Sequence, residues 1–160
     1  LKGPLPEAVR NLERSAAAAV VPLLETLAHR NLVYAGEPYL FAAFSAFARE
    51  LGLRVPAAIM DTFPRPLGTA GLPSTLLFAP DTRDALTALE GLTGYRKPDL
   101  VVGNSFARTE GFARNLPFTE LGFPSYGHHC IGDEPFLGFS GAKTLAGRLF
   151  NSLRAGSYTE

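Results

Sequence analysis

The stretch of this sequence richest in reactive side chains is His128-His129-Cys130, which places two imidazoles beside the only thiol of the chain. Imidazole and thiol groups are metal ligands and proton carriers near neutral pH. Adjacent residues seldom point the same way, so three consecutive side chains do not complete a tetrahedral metal site. Together with Tyr126 they could instead line a pocket, relay protons or face a partner subunit. We interpret this loop as part of a shared cavity or surface, and we predict no metal site made by this chain alone.

Three further polar residues follow predicted strands, where a ligand could reach them. Glu37 stands where a helix begins, so the helix dipole favours its carboxylate, and the same position would let it face a crevice. Asn104 and Ser105 are good N-cap residues that would also point an amide and a hydroxyl at a ligand, although capping alone explains both. No catalytic residue is assigned. The candidate pocket or interface consists of Glu37, Asn104, Ser105, Tyr126, His128, His129 and Cys130.

Signature motifs of nucleotide and hydrolase chemistry are absent from the sequence. The first predicted strand is followed by Gly36-Glu37-Pro38-Tyr39 and not by Gly-x-Gly-x-x-Gly. No Walker A pattern and no Gly-x-Ser-x-Gly elbow occur. The single cysteine excludes an internal disulfide framework and any multi-cysteine zinc or iron–sulfur site made by this chain alone.

The composition is that of an ordinary globular protein, with 46% hydrophobic and 19% charged residues. Because 15 basic and 15 acidic residues balance and no basic block occurs, nothing predicts binding to nucleic acid or to an anionic membrane surface. The longest apolar run, Ala16–Leu24, is too short to span a bilayer and contains Pro22. No secretory signal pattern opens the chain, so we expect a cytoplasmic location. The start at Leu1 without an initiator Met leads us to expect a domain of a longer protein.

Short apolar strands alternate with amphipathic helices, which predicts a parallel sheet covered on both faces. The prediction is an α/β, Rossmann-like, three-layer α/β/α fold with a mainly parallel sheet of about five strands. Residues 1–30 are expected to form a helical segment that packs on a domain over residues 31–160. The predicted helices are Glu7–Arg30 (kinked or split by Pro22), Pro38–Leu51, one that Asp81 or Thr82 caps and that ends near Gly94, Ser105–Asn115 and Ser140–Leu153. The predicted strands are Asn31–Ala35, Arg54–Met60 (edge or irregular because of Pro56), Thr75–Ala79, Leu100–Gly103 and Phe118–Phe123.

The last strand and the loop after it carry a family resemblance. The residues Glu120–His129 (ELGFPSYGHH) and Pro135–Ala142 (PFLGFSGA) resemble the closing segment of nitrogenase component 1-type oxidoreductase subunits. That segment has a Gly-Phe-Pro turn, a variable loop often bearing histidines, and a Gly-aromatic-x-Gly turn into a helix. Upstream, Lys97–Ser105 is similar to the family's segment ending in Gly-Asn-Ser, and Asn31–Gly52 to the strand and helix that open the same unit. The similarity covers most of residues 30–155.

The resemblance implies that this domain works inside a larger machine. Full family subunits contain three such α/β units, pair as α and β chains, usually in a heterotetramer, and hold iron–sulfur clusters. They take electrons from an ATP-dependent iron protein, and members reduce dinitrogen or tetrapyrrole rings, cleave carbon–sulfur bonds or assemble the nitrogenase cofactor. The cluster cysteines lie mostly in an N-terminal part that this chain lacks, so no cofactor is expected on this chain alone. The Gly122-Phe123-Pro124 turn has glycine where the nitrogenase α subunit carries a cofactor-binding histidine, which argues against a dinitrogen-reducing α subunit.

Two kinds of function therefore stand at this point. The first is a C-terminal domain of a nitrogenase-like reductase subunit, inactive alone, which predicts no complete active site and an apolar face left uncovered. The alternative is a freestanding Rossmann-like ligand-binding or structural, oligomerising domain without redox activity. As a ligand-binding domain it would bring Glu37, Asn104, Tyr126 and His128 together in one pocket.

Overall fold

A computed structural model of the chain describes residues 6–63, 73–113, 115–127, 134–135 and 137–156. Its strands form one sheet in the order β3-β2-β1-β4-β5, and every neighbouring pair runs parallel. The predicted Rossmann-like α/β fold is confirmed. The strands are β1 (Asn31–Gly36), β2 (Arg54–Met60), β3 (Thr75–Phe78), β4 (Leu100–Gly103) and β5 (Phe118–Glu120).

The helices are α1 (Glu7–Val20), α2 (Leu24–Leu27), α3 (Pro38–Glu50), α4 (Thr82–Glu90), α5 (Ser105–Thr109) and α6 (Gly138–Gly156). A 3₁₀ turn over Val21–Leu23 separates α1 from α2, as expected where Pro22 lacks the N–H that an α-helix needs. Helix α5 is shorter than predicted because Gly111 adopts a positive φ of 84° and takes the chain out of the helix. No helix in the described ranges is long and apolar enough to cross a membrane.

Helices cover both faces of the sheet, and β1 shows how the sequence produces this. Leu32 and Tyr34 pack on the side of α2, α3 and α6, whereas Val33 and Ala35 pack on the side of α4 and α5. All four are at most 2% exposed. A strand buried on both faces must be apolar throughout, which is why its sequence reads as a continuous hydrophobic run.

Strand β2 lies inside the sheet, between β3 and β1, so the edge position considered for Pro56 is wrong. The irregular alternative is right. Asn31 of β1 pairs with Arg54 and Val33 pairs with Ala57, which leaves one extra residue in β2 beside Pro56. Pairing between β2 and β3 starts only at Ala57, so the missing N–H of proline falls where the ladder is interrupted.

The strand order reverses between β1 and β4, and a doubly wound sheet opens a crevice at the carboxyl ends of two such strands. Gly103 ends β4 at this point. A Cβ on Gly103 would overlap the carbonyl oxygen of Ala35 in β1, so only glycine lets the two strands approach this closely. The close approach fixes the position of the polar residues that follow β4.

Candidate functional site

Asn104 connects three segments at the carboxyl end of the sheet. Its Oδ1 accepts hydrogen bonds from the backbone N–H groups of Phe106 (3.1 Å) and Ala107 (3.3 Å), which caps α5 as predicted. Its Nδ2 donates to Asp61 Oδ2 after β2 (2.9 Å) and to the carbonyl of Phe123 after β5 (3.3 Å). The side chain is 2% exposed. Asn104 therefore joins the ends of β2, β4 and β5 in addition to capping a helix.

Glu120, the last residue of β5, organises the turn that follows it. Its carboxylate accepts a short hydrogen bond from the Ser105 hydroxyl and further bonds from the backbone N–H groups of Tyr126 (3.1 Å) and Gly127 (3.1 Å). The Ser105 hydroxyl in turn accepts from Tyr126 N at 2.6 Å, and Ser105 N donates to Pro124 O at 2.9 Å. These contacts fasten residues 124–127, the chain immediately before His128, to the start of α5.

The ionisation of Glu120 reflects this arrangement. Burial raises the pKa of its carboxyl, but hydrogen bonds from Ser105 and from the backbone of Gly127 and Tyr126 lower it, and the net pKa lies below the ordinary value of 4.5. The hydrogen-bond donors around Glu120 thus stabilise the anionic form of its carboxyl.

A groove of about 480 Å³ lies along the outer edge of β5, between α5 and α6; we call it the β5 groove. It is lined by Ser105, Arg108, Thr109, Phe118, Thr119, Glu120, Tyr126, Gly127, Arg148, Asn151 and Ser152. Its size is within the range of small-molecule pockets. Two of the residues predicted to form a pocket, Ser105 and Tyr126, therefore lie together here.

Helix α6 occupies the hydrogen-bonding edge of β5 that faces the groove. In the ladder with β4, Val101 N donates to Pro117 O and Leu121 N donates to Gly103 O, so the carbonyls of Phe118 and Glu120 point outward. Ser152 Oγ donates to Phe118 O at 3.2 Å, and Arg148 Nη2 donates to Glu120 O. A further strand adding to this edge would have to displace both side chains.

Glu37 lies apart from the groove, at the start of α3. Its side chain is exposed and makes no capping hydrogen bond, while its backbone carbonyl accepts from Tyr34 Oη at 2.9 Å. Burial raises the pKa of the Tyr34 phenol, and the charges of Asp61 and Glu37 raise it further. Burial raises the pKa of the Asp61 carboxyl, and the negative charges of Glu110 and Glu37 raise it further. The hydrogen bond from Asn104 lowers it, but the net pKa lies above the ordinary value.

Aromatic side chains are exposed after four of the five strands, all at the carboxyl end of the sheet. Phe63 follows β2 and is 75% exposed, and Phe123 follows β5 and is 87% exposed. Since the strands are parallel, these rings share one end of the domain. We call the group the carboxyl-end aromatic surface: Tyr39, Phe63, Phe106, Phe123 and Tyr126.

The remaining predicted residues, His128, His129 and Cys130, lie outside the described residues. In the part of the chain that the structure describes, no three His, Cys, Asp or Glu side chains come close enough to hold a metal ion. The described residues by themselves therefore offer no ligand set for a metal cluster.

Sequence reasoning did not single out Glu120 or Arg148. Glu120 could have been recognised, because it is a carboxylate within a short predicted strand, near the carboxyl end where ligands bind. Arg148 gave no such signal, because an arginine on an amphipathic helix is usually a solvated residue.

Fold and site together define a Rossmann-like α/β domain whose carboxyl end carries a hydrogen-bonded turn and exposed aromatic rings. The model of the family "Nitrogenase component 1 type Oxidoreductase" matches residues 2–154. The chain belongs to this family, and the resemblance read from the sequence is confirmed.

Individual proteins are similar to the chain in sequence or in fold. The chain is 25% identical over 131 residues to the nitrogenase molybdenum-iron protein beta chain of Frankia alni, which covers 78% of this chain and 25% of that protein. Among solved structures, nitrogenase Cp1 at pH 6.5 matches with a TM-score of 0.82 at 20% identity, over 98% of this chain and 35% of that one. Nitrogenase Cp1 at pH 5 matches with a TM-score of 0.70 at 14% identity, over 94% and 35%. The chain thus spans well under half the length of these relatives.

Proposed function

We propose that this chain is the C-terminal domain of a nitrogenase component 1-like oxidoreductase subunit and is inactive alone. In the full complex, the subunit would accept electrons from an ATP-dependent iron protein and reduce a substrate at metal clusters in the cytoplasm. Family membership supports this proposal, as does the similarity to a nitrogenase beta chain. A second, homologous subunit is the proposed partner, in a heterotetramer.

The observation that carries the proposal is the carboxyl-end aromatic surface. Single exposed rings are normal on a protein, but a group of rings after four strand ends of one sheet is typical of a surface that other polypeptide covers. Because the relatives are much longer than this chain, the remainder of such a subunit, with its partner, is the natural occupant.

The hydrogen bonds beneath this surface support a scaffolding role. Asn104 holds the carbonyl of Phe123, and Glu120 holds the backbone of Tyr126, so both rings are presented by fastened backbone. A surface ordered before association loses less conformational freedom when it binds. We propose that Asn104, Ser105 and Glu120 act by positioning this turn, and that His128, His129 and Cys130, the next three residues of the sequence, contribute to the same contact.

No step of the reduction is assigned to side chains of this domain. The described residues offer no ligand set for an iron–sulfur or related metal cluster, so the ligands are proposed to come from other parts of the complex. The contribution of this domain would be to complete and shape the assembly around the clusters.

The proposal is tested by anaerobic purification of the complete subunit with its partner chains, followed by iron and acid-labile sulfide analysis. We expect both elements in the purified complex. A complex that contains neither would refute the oxidoreductase role.

The aromatic surface is tested separately with Phe63→Ser and Phe123→Ser in the complete subunit. Both rings are mostly exposed, so the substitutions should leave the folding of this domain intact but weaken assembly. The matched control is Tyr95→Ser, since Tyr95 is 81% exposed but lies at the opposite end of the sheet. Assembly measured by size-exclusion chromatography with light scattering should fail only for the first two variants. Equal assembly of all three would show that the surface is not the contact.

The β5 groove favours a second candidate function, a freestanding ligand-binding domain without redox activity. Ser105, Glu120 and Tyr126 would then contact a small molecule directly. This alternative requires that the chain by itself bind a metabolite, and that Ser105→Ala and Tyr126→Ala weaken the binding. Saturable binding of that kind, with no effect of Phe63→Ser or Phe123→Ser on assembly, would favour it over the first proposal.

A further inference from the structure

A second concave feature lies at the amino ends of β1, β2 and β3, at the opposite end of the sheet from Asn104 and Glu120. We call it the amino-end recess; its volume is about 200 Å³. It is lined by Asn31, Arg54, Val55, Pro56, Ser74, Tyr95 and Arg96.

Arg96 has a buried hydrogen-bond donor without an acceptor. Its Nη2 donates to Thr75 Oγ1 at 2.6 Å, which fixes the guanidinium at the start of β3. Its Nε is buried and has no hydrogen-bond partner among the described residues. Buried donors in folded proteins are almost always paired, and leaving one unpaired destabilises the fold. This atom therefore indicates an acceptor that the described part of the chain does not itself supply.

The backbone that carries Arg96 is firmly held. Asn31 is 8% exposed, and its Nδ2 donates to the carbonyls of Tyr95 (2.8 Å) and Lys97 (2.9 Å). The 3₁₀ turn Gly94–Arg96 is thus fastened to the start of β1. The position of Arg96 is thus fixed twice, by the fastened backbone on either side of it and by the hydrogen bond from its Nη2 to Thr75, as in a preorganised binding group.

The charged side chains that line the recess are positive. Arg54 and Arg96 are the charged residues among the described residues that line it, and none of these carries a carboxylate. The nearby carboxylate of Asp99 accepts from Asn31 N at 2.8 Å and is paired with Arg30 at 3.2 Å, so Arg30 balances its charge. Two guanidinium groups, one of which carries the unpaired Nε–H, favour an anion with several acceptor atoms.

We propose that the amino-end recess binds a small oxyanion through Arg96 Nε and the guanidinium of Arg54. The planar fork of arginine matches carboxylate and phosphate groups, both of which accept two parallel hydrogen bonds. The recess is smaller than the roughly 300 Å³ at which pockets for drug-sized ligands begin. The occupant is therefore a single phosphate or carboxylate group, free or at the end of a larger molecule that projects into solvent.

The test is a titration of the protein with inorganic phosphate and, separately, with acetate, at constant ionic strength, followed by amide NMR. We expect saturable shifts at Arg54, Thr75 and Arg96 with at least one of the two anions. Shifts with phosphate alone identify a phosphate site, and shifts with acetate identify a carboxylate site. No saturable shift at millimolar concentrations of either anion would overturn the proposal.

Two matched variants separate a built site from general attraction. Arg96→Lys keeps the positive charge but removes the Nε–H, and we expect it to weaken binding about tenfold while the spectrum stays that of a folded protein. The control is Arg83→Lys, at an exposed position of α4 that lines neither the amino-end recess nor the β5 groove, which should leave the affinity unchanged. Equal weakening by both variants, or none by Arg96→Lys, would show that the recess is not the binding site. This outcome is independent of whether the oxidoreductase proposal holds.

Discussion

Replacing Asn104 by alanine should destabilise the domain far more than removing an ordinary helix cap. Loss of the cap of α5 costs about 1 kcal/mol. Loss of the hydrogen bonds to Asp61 and Phe123 adds about 1–2 kcal/mol, since one acceptor is charged and Asn104 is buried. The expected total is about 2–3 kcal/mol, which corresponds to a fall in melting temperature of about 5–10 °C for a domain of this size.

The matched control for this variant is Asp81→Ala. Asp81 caps α4 with a single bond from Asp84 N at 2.8 Å and is exposed, so its loss should cost only about 1 kcal/mol. Urea denaturation followed by circular dichroism measures both free energies of unfolding. A second variant, Asn104→Asp, retains the capping oxygen but places a carboxylate beside Asp61, so its stability should fall as the pH rises through the titration of that pair. If Asn104→Ala costs no more than Asp81→Ala, then Asn104 is only a cap and does not join the strand ends.

Three further predictions follow from the same geometry. Gly103→Ala should lower the free energy of unfolding by about 3 kcal/mol or more, because the new Cβ overlaps the carbonyl of Ala35. Gly147→Ala, in the open part of α6, should raise it by about 0.5–1 kcal/mol. Thermal unfolding of both variants measures these changes. Because the pKa of Glu120 is lowered in the folded state, its ionisation stabilises the fold above pH 4.5, and this stabilisation is lost as the pH falls toward the folded-state pKa. Glu120→Gln should therefore make the free energy of unfolding depend less on pH in this acidic range, as measured by unfolding curves at a series of pH values. Arg148→Ala should uncover the edge of β5 and promote concentration-dependent self-association in analytical ultracentrifugation, and Arg148→Lys, which still donates to the carbonyl, should stay monomeric under the same conditions.

The sequence predicted the fold well because local signals agreed with the tertiary structure. The runs Asn31–Ala35 and Leu100–Gly103 are apolar on both faces, and only a buried parallel strand requires that. Pro22 and Asp81 acted where their chemistry indicated, by breaking a helix and by capping one. The predicted ends of α5 and β5 lay too far along the chain, because Gly111 and Gly122 (φ +101°) turn the backbone where apolar periodicity continues.

The arrangement of the site was harder to predict, since it depends on contacts between distant residues. Asn104 and Ser105 could be recognised as caps, but their bonds to Asp61 and Glu120 depend on which strands become neighbours. The local hydrophobic pattern predicts strands but not the order in which they lie in the sheet. The same limit applied to Arg96, whose unpaired Nε becomes apparent only once β1, β2 and β3 are placed side by side.

The central claim is that the carboxyl end of this sheet contacts the rest of a larger assembly. Amide hydrogen exchange, compared between this chain alone and the complete subunit with its partners, tests it most directly. We expect new protection in the segments that follow the strands, at 37–39, 61–63, 104–106 and 121–126, and no change at the amino-end turn Gly94–Arg96. Protection that appears at the amino-end turn instead, or nowhere in this domain, would contradict the claim.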